Sequence, residues 1–271
     1  MNKPDLLITW HESNDYPPFR ATLRKHRDFF GKIIIYLSKH FREPVYADFL
    51  KESMRDLGNI VFLDPIEYQY GVEDWRHVST TYMLKHSNSE WVTSVEQDWF
   101  AKDWDKMLEA TDKAMKEADM VGWMNETAHS YIHPSYWFIK RDLLESLGTD
   151  FKPHSEIVGS DHFAMMTYKA QERGVKIVTL QDLGFDCNFR QEADAFHLGG
   201  VNQNYLNFEE LFEAKTIHRA EAFFVYNRLS MSAPVQQSKE FLDRCAHVDH
   251  KLSEIFPNYS IEASGWKEFF K

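Results

Sequence analysis

The chain has 271 residues, with 31 basic and 42 acidic side chains and a formal net charge of −11. Hydrophobic residues make up 43% and aromatic residues 15% of it, which is typical of a folded globular protein and excludes a disordered one. The sequence holds no apolar run near the roughly 20 residues of a membrane-spanning helix, and two cysteines cannot form a disulfide framework. We therefore expect a cytoplasmic protein with one large core and no integral membrane segment.

Strand-like and helix-like segments alternate along the first half of the chain. Short apolar runs predict buried strands at 6–10, 32–37, 60–63 and 91–95. Helical spacing predicts helices at 19–30, 45–57 and 74–86. This alternation predicts parallel strands joined by right-handed crossovers. Ligands of such open sheets bind beyond the carboxyl ends of the strands.

An acidic triplet, Glu96-Gln97-Asp98, follows the fourth predicted strand directly. Two carboxylates at this spacing offer hard oxygen ligands that suit Mg²⁺ or Mn²⁺ and leave coordination positions for phosphate groups. The alternative is an ordinary polar turn that leads into a helix from 103 to 118, with Asp103 as its N-cap. The spacing alone leaves both interpretations open.

The stretch 89–98 resembles the strand that ends in the DxD motif of GT-A glycosyltransferases of the family-2 type, although the triplet here is E-Q-D. Further segments follow in the order of that family: a strand at 119–123, a strand and basic pair before a helix at 136–148, Gly159-Ser160-Asp161 at a helix start, and His197 before two glycines. The resemblance implies an α/β fold of the GT-A type, a mostly parallel mixed sheet flanked by helices, for residues 1–205. Residues 206–271 are predicted to form a helical extension packed on that domain.

The resemblance also implies a role for each candidate residue. Asp98 and His197 are the expected ligands of Mn²⁺ or Mg²⁺, and Asp161 is the expected general base, for which a plain helix N-cap is the alternative. The residues expected to bind the donor are Thr9, His11, Glu12, Arg76, Glu96 and Gln97.

Two further groups of residues have a functional and a structural interpretation. The aromatic residues Trp10, Trp99, Tyr136 and Trp137 are candidates for stacking on a sugar or for the core. The polar and aromatic segment 125–135, which includes His133, is expected to be a loop that covers the acceptor.

The predicted activity is transfer of a hexosyl or pentosyl group, with inversion, from a nucleotide-sugar to an acceptor hydroxyl, with a UDP-sugar as the expected donor. The acceptor class is left open among a glycan, a small molecule, a protein and a modified nucleic-acid base. The net charge disfavours nucleic acid, whereas a basic cluster supports it: Arg20, Arg24, Lys25, Arg27 and Lys32. A nucleotidyltransferase and a non-catalytic relative that binds sugar or a partner protein are the alternative functions, and an oligomer is compatible with the sequence.

Overall fold

A computed structural model of the chain describes residues 3–10, 17–37, 50–52, 54–64, 75–97, 99–125, 130–148, 163–188 and 193–197. Four predicted site residues, His11, Glu12, Asp98 and Asp161, lie outside the described residues, as do the side chain of Arg76 and the extension at 206–271. Within the described ranges, no helix has the length and apolar character needed to cross a membrane.

The described chain forms two sheets and five α-helices. The strands are β1 Asp5–Trp10, β2 Ile33–Leu37, β3 Ile60–Leu63, β4 Trp91–Val95, β5 Trp99–Ala101, β6 Met120–Asn125, β7 Tyr131–Lys140, β8 Ile177–Thr179, β9 Cys187–Asn188 and β10 Ala195–His197. The helices are α1 Pro17–Lys25, α2 Trp75–Leu84, α3 Trp104–Met115, α4 Arg141–Leu147 and α5 Ala164–Glu172. Seven strands make the central sheet in the order β3-β2-β1-β4-β7-β6-β8, and β5-β10-β9 make the small one.

The four predicted strands at the start of the chain are confirmed, and they pair in parallel as expected. The predicted helix at 19–30 ends earlier, at Lys25, and a 3-10 turn, Arg27–Phe29, follows it. The end of the helix predicted at 45–57 is likewise a 3-10 turn, Arg55–Leu57. Asp103 caps α3 as predicted, since its Oδ1 accepts a hydrogen bond from the backbone N–H of Lys106 at 3.0 Å.

The strand β7 departs from the parallel pattern. It lies between β4 and β6 and pairs antiparallel with both, whereas β6 pairs in parallel with β8. The central sheet is therefore mixed and mostly parallel, as the resemblance implied.

Helices cover both faces of the central sheet, which explains why its strands are apolar on both sides. Side chains of β1 alternate between two apolar clusters. Leu6 belongs to the cluster that includes Leu23 of α1, whereas Leu7 belongs to the cluster that includes Met83 of α2. The four aromatic candidates for sugar stacking are all at most 3% exposed and belong to these clusters, so they are core residues.

One side chain continues the central sheet beyond its last strand. Gln181 lies two residues after Thr179, the last residue of β8. Its side-chain amide pairs with the backbone of Met124 in β6. The Met124 N–H donates to Gln181 Oε1 at 3.2 Å, and Gln181 Nε2 donates to Met124 O at 2.6 Å. The amide group thus makes the two hydrogen bonds that another strand residue would make.

The predicted basic cluster is engaged within the fold wherever its side chains are described. Arg27 donates to the carbonyl oxygens of Leu57 at 2.8 Å, Phe30 at 2.8 Å and Gly31 at 2.9 Å. Lys32 donates to the carbonyl oxygen of His86 at 3.0 Å. Arg24 and Lys25 form ion pairs with aspartates. These contacts give Arg24, Lys25, Arg27 and Lys32 a structural explanation beside the nucleic-acid one.

Replacement of Arg27 by lysine tests this structural role. An ammonium group cannot reach the three carbonyl groups at once, so Arg27→Lys leaves part-buried acceptors unpaired. We expect the free energy of unfolding to fall by about 1–3 kcal/mol in urea titrations. The matched control is Arg55→Lys, because the Arg55 side chain is 78% exposed, and we expect that change to stay within about 0.5 kcal/mol. Equal losses of unfolding free energy in the two variants would contradict the structural role of Arg27.

Candidate active site

Glu96 lies at the carboxyl end of β4 and is held there by β7. Its backbone N–H donates to the carbonyl oxygen of Ser135 at 3.0 Å, and Ser135 Oγ donates to Glu96 Oε2 at 2.6 Å. Ser135 is fully buried, and the Glu96 side chain is 15% exposed. The carboxylate is therefore fixed by a neighbouring strand before any ligand binds.

His197 reaches the same place through the small sheet. The strand β5 begins directly after the acidic triplet, and β10 pairs with it so that His197 is opposite Trp99. This register brings His197 Nε2 to 3.1 Å from Glu96 Oε2, with the histidine side chain 9% exposed. Two of the residues predicted from sequence, Glu96 and His197, are thus in direct contact.

A third residue, His133, completes the group. Its ring is 3% exposed. Its Nδ1 accepts a hydrogen bond from the backbone N–H of Ser135 at 3.2 Å and lies 2.7 Å from Ser135 Oγ. The His133 ring centroid is 5.0 Å from that of His197 and 4.3 Å from that of Trp123. Glu96, His133 and His197 each offer one ligand atom, and these atoms lie within 4.8 Å of one another.

The prediction that segment 125–135 is a loop covering the acceptor is wrong for residues 131–135, because they belong to β7. Gly122 of β6 pairs with Trp137 of β7, and Met124 pairs with Ile132. Between these two pairs β6 advances by two residues and β7 by five. This bulge contains His133, Pro134 and Ser135. Proline within a sheet is tolerated at bulges, and bulges re-aim side chains next to active sites. The residues that read as a turn therefore lie inside a strand and carry His133 to Glu96.

Two predicted donor-binding residues, Thr9 and Gln97, connect the ends of neighbouring strands. Gln97 is 2% exposed, and its Nε2 donates to the carbonyl oxygen of Thr9 at 3.0 Å. The Thr9 hydroxyl shares a hydrogen bond of 2.9 Å with Ser79 of α2. These contacts hold the end of β4 against the end of β1, and β1 against the middle of α2. A donor contact by either residue stays a prediction.

The buried groups beside the cluster do not supply a nucleophile. Burial raises the pKa of the Cys187 thiol well above its usual range, so the thiolate that reacts is not formed near neutral pH. Burial likewise raises the pKa of Tyr136, although a hydrogen bond from Thr111 opposes the shift. In a hydrolase triad the histidine stands between serine and carboxylate, whereas here the buried Ser135 stands between His133 and Glu96.

The donor set of the cluster fits a divalent metal, the cofactor that the resemblance implied. One carboxylate and two imidazoles are ligands that first-row divalent metals accept. Neighbouring ligand atoms bound at about 2.1 Å around an octahedral ion are about 3 Å apart. The 3.1 Å between Glu96 Oε2 and His197 Nε2 matches that separation.

The sequence matches no model of a known protein family and no curated protein. The structure is similar to solved structures. The mannosyltransferase PcManGT from Pyrobaculum calidifontis, solved with GDP-Man and Mn²⁺, is similar with a TM-score of 0.50 at 13% identity, over 98% of this chain and 84% of that one. The chain has a GT-A fold. Residues 1–349 of S. aureus TarS give a TM-score of 0.48 at 13% identity, over 99% of this chain and 89% of that fragment. The same part of TarS in complex with UDP-GlcNAc gives 0.46 at 14% identity, over 97% and 83%. At 13% identity the likeness to PcManGT shows the fold alone, and the activity is argued below from the site.

Gln97→Glu tests the connection between β4 and β1. The substituted side chain would place a second acceptor against the carbonyl oxygen of Thr9 and would bury a charge, so we expect a loss of about 1–3 kcal/mol of unfolding free energy. The control is Gln171→Glu, at an exposed position of α5, for which we expect a loss of at most about 0.5 kcal/mol. Urea titration measures the free energy of unfolding of both variants. A Gln97→Glu variant with wild-type stability would show that this hydrogen bond does not hold the strand ends together.

Proposed function

We propose that the chain is a metal-dependent glycosyltransferase that moves a sugar from a nucleotide-sugar to an acceptor hydroxyl. The observation that carries this proposal is the contact between Glu96 and His197 at the carboxyl end of β4 in a GT-A sheet. In open α/β sheets that edge is where ligands bind, and the residues gathered there form a metal-binding donor set. The GDP-Man and Mn²⁺ in the similar PcManGT support a nucleotide-sugar and a divalent metal.

The residues named from the sequence receive the following proposed roles. Asp98 and His197 are the proposed metal ligands. The donor contacts are assigned to Glu96 and Gln97, to Thr9 with its sequence neighbours His11 and Glu12, and to Arg76. The bound metal, Mn²⁺ or Mg²⁺, stabilises negative charge on the departing nucleoside diphosphate. We propose a UDP-sugar as the donor and the cytoplasm as the setting.

Asp161 is the proposed general base of an inverting transfer. The acceptor oxygen forms a bond to the anomeric carbon while the bond from that carbon to the diphosphate oxygen breaks. The acceptor proton passes to the Asp161 carboxylate, and the electron pair of the broken bond leaves with the nucleoside diphosphate. One displacement of this kind inverts the anomeric configuration.

The alternative functions differ from a glycosyltransferase in the groups that they require of the site. A nucleotidyltransferase uses a metal-bound triphosphate and typically a glycine- and lysine-rich loop after the first strand, which residues 11–18 do not provide. A non-catalytic relative that binds sugar or a partner protein does not require the metal. A modified nucleic-acid base as acceptor has less support from the basic cluster, because Arg27 and Lys32 have partners within the fold.

A thermal-shift screen identifies the donor. Nucleoside diphosphates and nucleotide-sugars are tested with and without Mn²⁺. We expect one nucleoside diphosphate and its nucleotide-sugar to raise the Tm of the protein only when Mn²⁺ is present. Binding to the native state at a hundred times Kd adds about 2.7 kcal/mol of stability. A screen that covers UDP, GDP and CDP derivatives and gives no metal-dependent shift would contradict the proposal.

Glu96→Ala separates catalysis from binding alone. We expect release of nucleoside diphosphate from the identified donor, with water or a glycoside as acceptor, to fall at least about a hundredfold, because a preorganised charge of the metal site is lost. Glu90→Ala is the matched control, since Glu90 is exposed at the opposite end of β4, and it should retain the wild-type rate. Turnover that survives Glu96→Ala would exclude the proposed role of this carboxylate.

A further inference from the structure

We propose that Ser135 is a positioning residue of the metal site, and that its hydroxyl holds the Glu96 carboxylate in the direction in which it binds a divalent cation. The inference rests on the metal site of the proposed function and gives a role to a residue that the sequence did not indicate. Affinity for the metal then depends on a side chain that acts through Glu96.

Ser135 holds Glu96 at both ends. The two residues lie opposite each other, directly beyond the pair of Val95 with Tyr136 that ends the ladder between β4 and β7. The Glu96 N–H donates to the Ser135 carbonyl oxygen at 3.0 Å, and Ser135 Oγ donates to Glu96 Oε2 at 2.6 Å. A glutamate side chain has several rotatable bonds between its backbone and its carboxylate oxygens, so attachment at both ends removes most of its rotamer freedom.

The Ser135 hydroxyl is itself held in place. The residue is fully buried in the bulge of β7, and its oxygen lies 2.7 Å from His133 Nδ1. The Ser135 backbone N–H donates to that nitrogen at 3.2 Å, so His133 Nδ1 is an acceptor. A hydroxyl has a single hydrogen to donate, and a hydrogen bond to a carboxylate is stronger than one to a neutral acceptor. The hydroxyl hydrogen of Ser135 is therefore directed at Glu96.

The carboxylate oxygen that Ser135 holds is the one that faces His197. Glu96 Oε2 lies 3.1 Å from His197 Nε2, which matches the separation of neighbouring ligand atoms around one ion. Without the hydroxyl, the carboxylate turns about its terminal bonds and Oε2 leaves this position for part of the time, so that metal binding has to restore it. Removal of a hydrogen bond from a neighbouring residue to a ligating group typically weakens metal binding by about 10–100-fold.

Thr93 of β4 offers a matched control. It is fully buried, and its Oγ1 donates to the carbonyl oxygen of Trp137 in β7 at 2.7 Å. Thr93→Val therefore removes a buried hydroxyl hydrogen bond between the same two strands, outside the cluster of Glu96, His133 and His197. We expect Ser135→Ala and Thr93→Val both to lower the Tm by about 2–6 °C, so that a difference between them in metal affinity cannot come from stability.

The test is a calorimetric titration of the full chain, stripped of metal, with Mn²⁺ in the absence of nucleotide. We expect the wild type to bind Mn²⁺ with one site per chain, Ser135→Ala to raise the Kd at least about tenfold, and Thr93→Val to keep the wild-type Kd. Ser135→Cys keeps the shape of the side chain with a weaker donor. It replaces Ser135→Ala should that variant show no cooperative thermal transition, and its Kd should also exceed that of the wild type.

Three results would overturn the inference: no binding of Mn²⁺ to the wild type, an unchanged Kd in the folded Ser135 variant, or an equal rise in Kd for Thr93→Val. The proposed function is tested separately, by the nucleotide-dependent thermal shift. A Kd for Mn²⁺ that depends on Ser135, without any nucleotide-dependent shift, contradicts the glycosyltransferase and leaves the role of Ser135 standing. A metal-dependent donor shift in the wild type, together with an unchanged Kd for Mn²⁺ in the Ser135 variant, contradicts this inference alone.

Discussion

The antiparallel pairing of β7 with β4 is the interaction on which the site depends. It places Ser135 opposite Glu96, so that one residue supplies both a backbone acceptor and a side-chain donor to the glutamate. A carboxylate that is largely removed from water needs such partners to stay ionised. The bulge in the same strand brings His133 to the other side of Ser135. A polar network is thus built into the middle of the sheet, with an apolar strand on each side.

The network is rigid because its surroundings are aromatic and fully packed. Trp99 follows the acidic triplet in sequence and belongs to the core. Its ring centroid is 4.9 Å from that of Trp123 and 5.8 Å from that of Tyr136. His197 is joined to this group by a strand pairing that spans about a hundred residues of sequence. Side chains fixed in this way lose little further entropy when a ligand binds, which is the advantage of a preorganised site.

The sequence was sufficient for features that depend on local pattern. Apolar runs and helical spacing located the parallel strands of the first half, and the residue type before α3 identified Asp103 as a cap. The resemblance to GT-A enzymes implied that Glu96 and His197, which are far apart along the chain, belong to one site, although it paired His197 with Asp98. In each case a short segment or a family order of segments contains the information.

What the sequence did not reveal depends on contacts between distant segments. Pro134 and Ser135 favour a turn by their own preferences, and only pairing with β4 and β6 on both sides makes them part of a strand. His133 therefore read as part of a loop. Arg27 read as part of a basic surface because nothing local shows that the turn at 55–58 presents its carbonyl groups to the guanidinium. Both residues took their roles from tertiary structure.

The side chain of Gln181 has a consequence for how this protein meets other chains. An open sheet edge presents unpaired backbone groups to which a foreign strand can add, and such edges drive aggregation. The strand β8 covers β6 for only three residues, Ile177–Thr179, and the Gln181 amide takes up the next pair of hydrogen-bonding groups, those of Met124. An amide that imitates backbone thus protects β6 next to the bulge that contains His133.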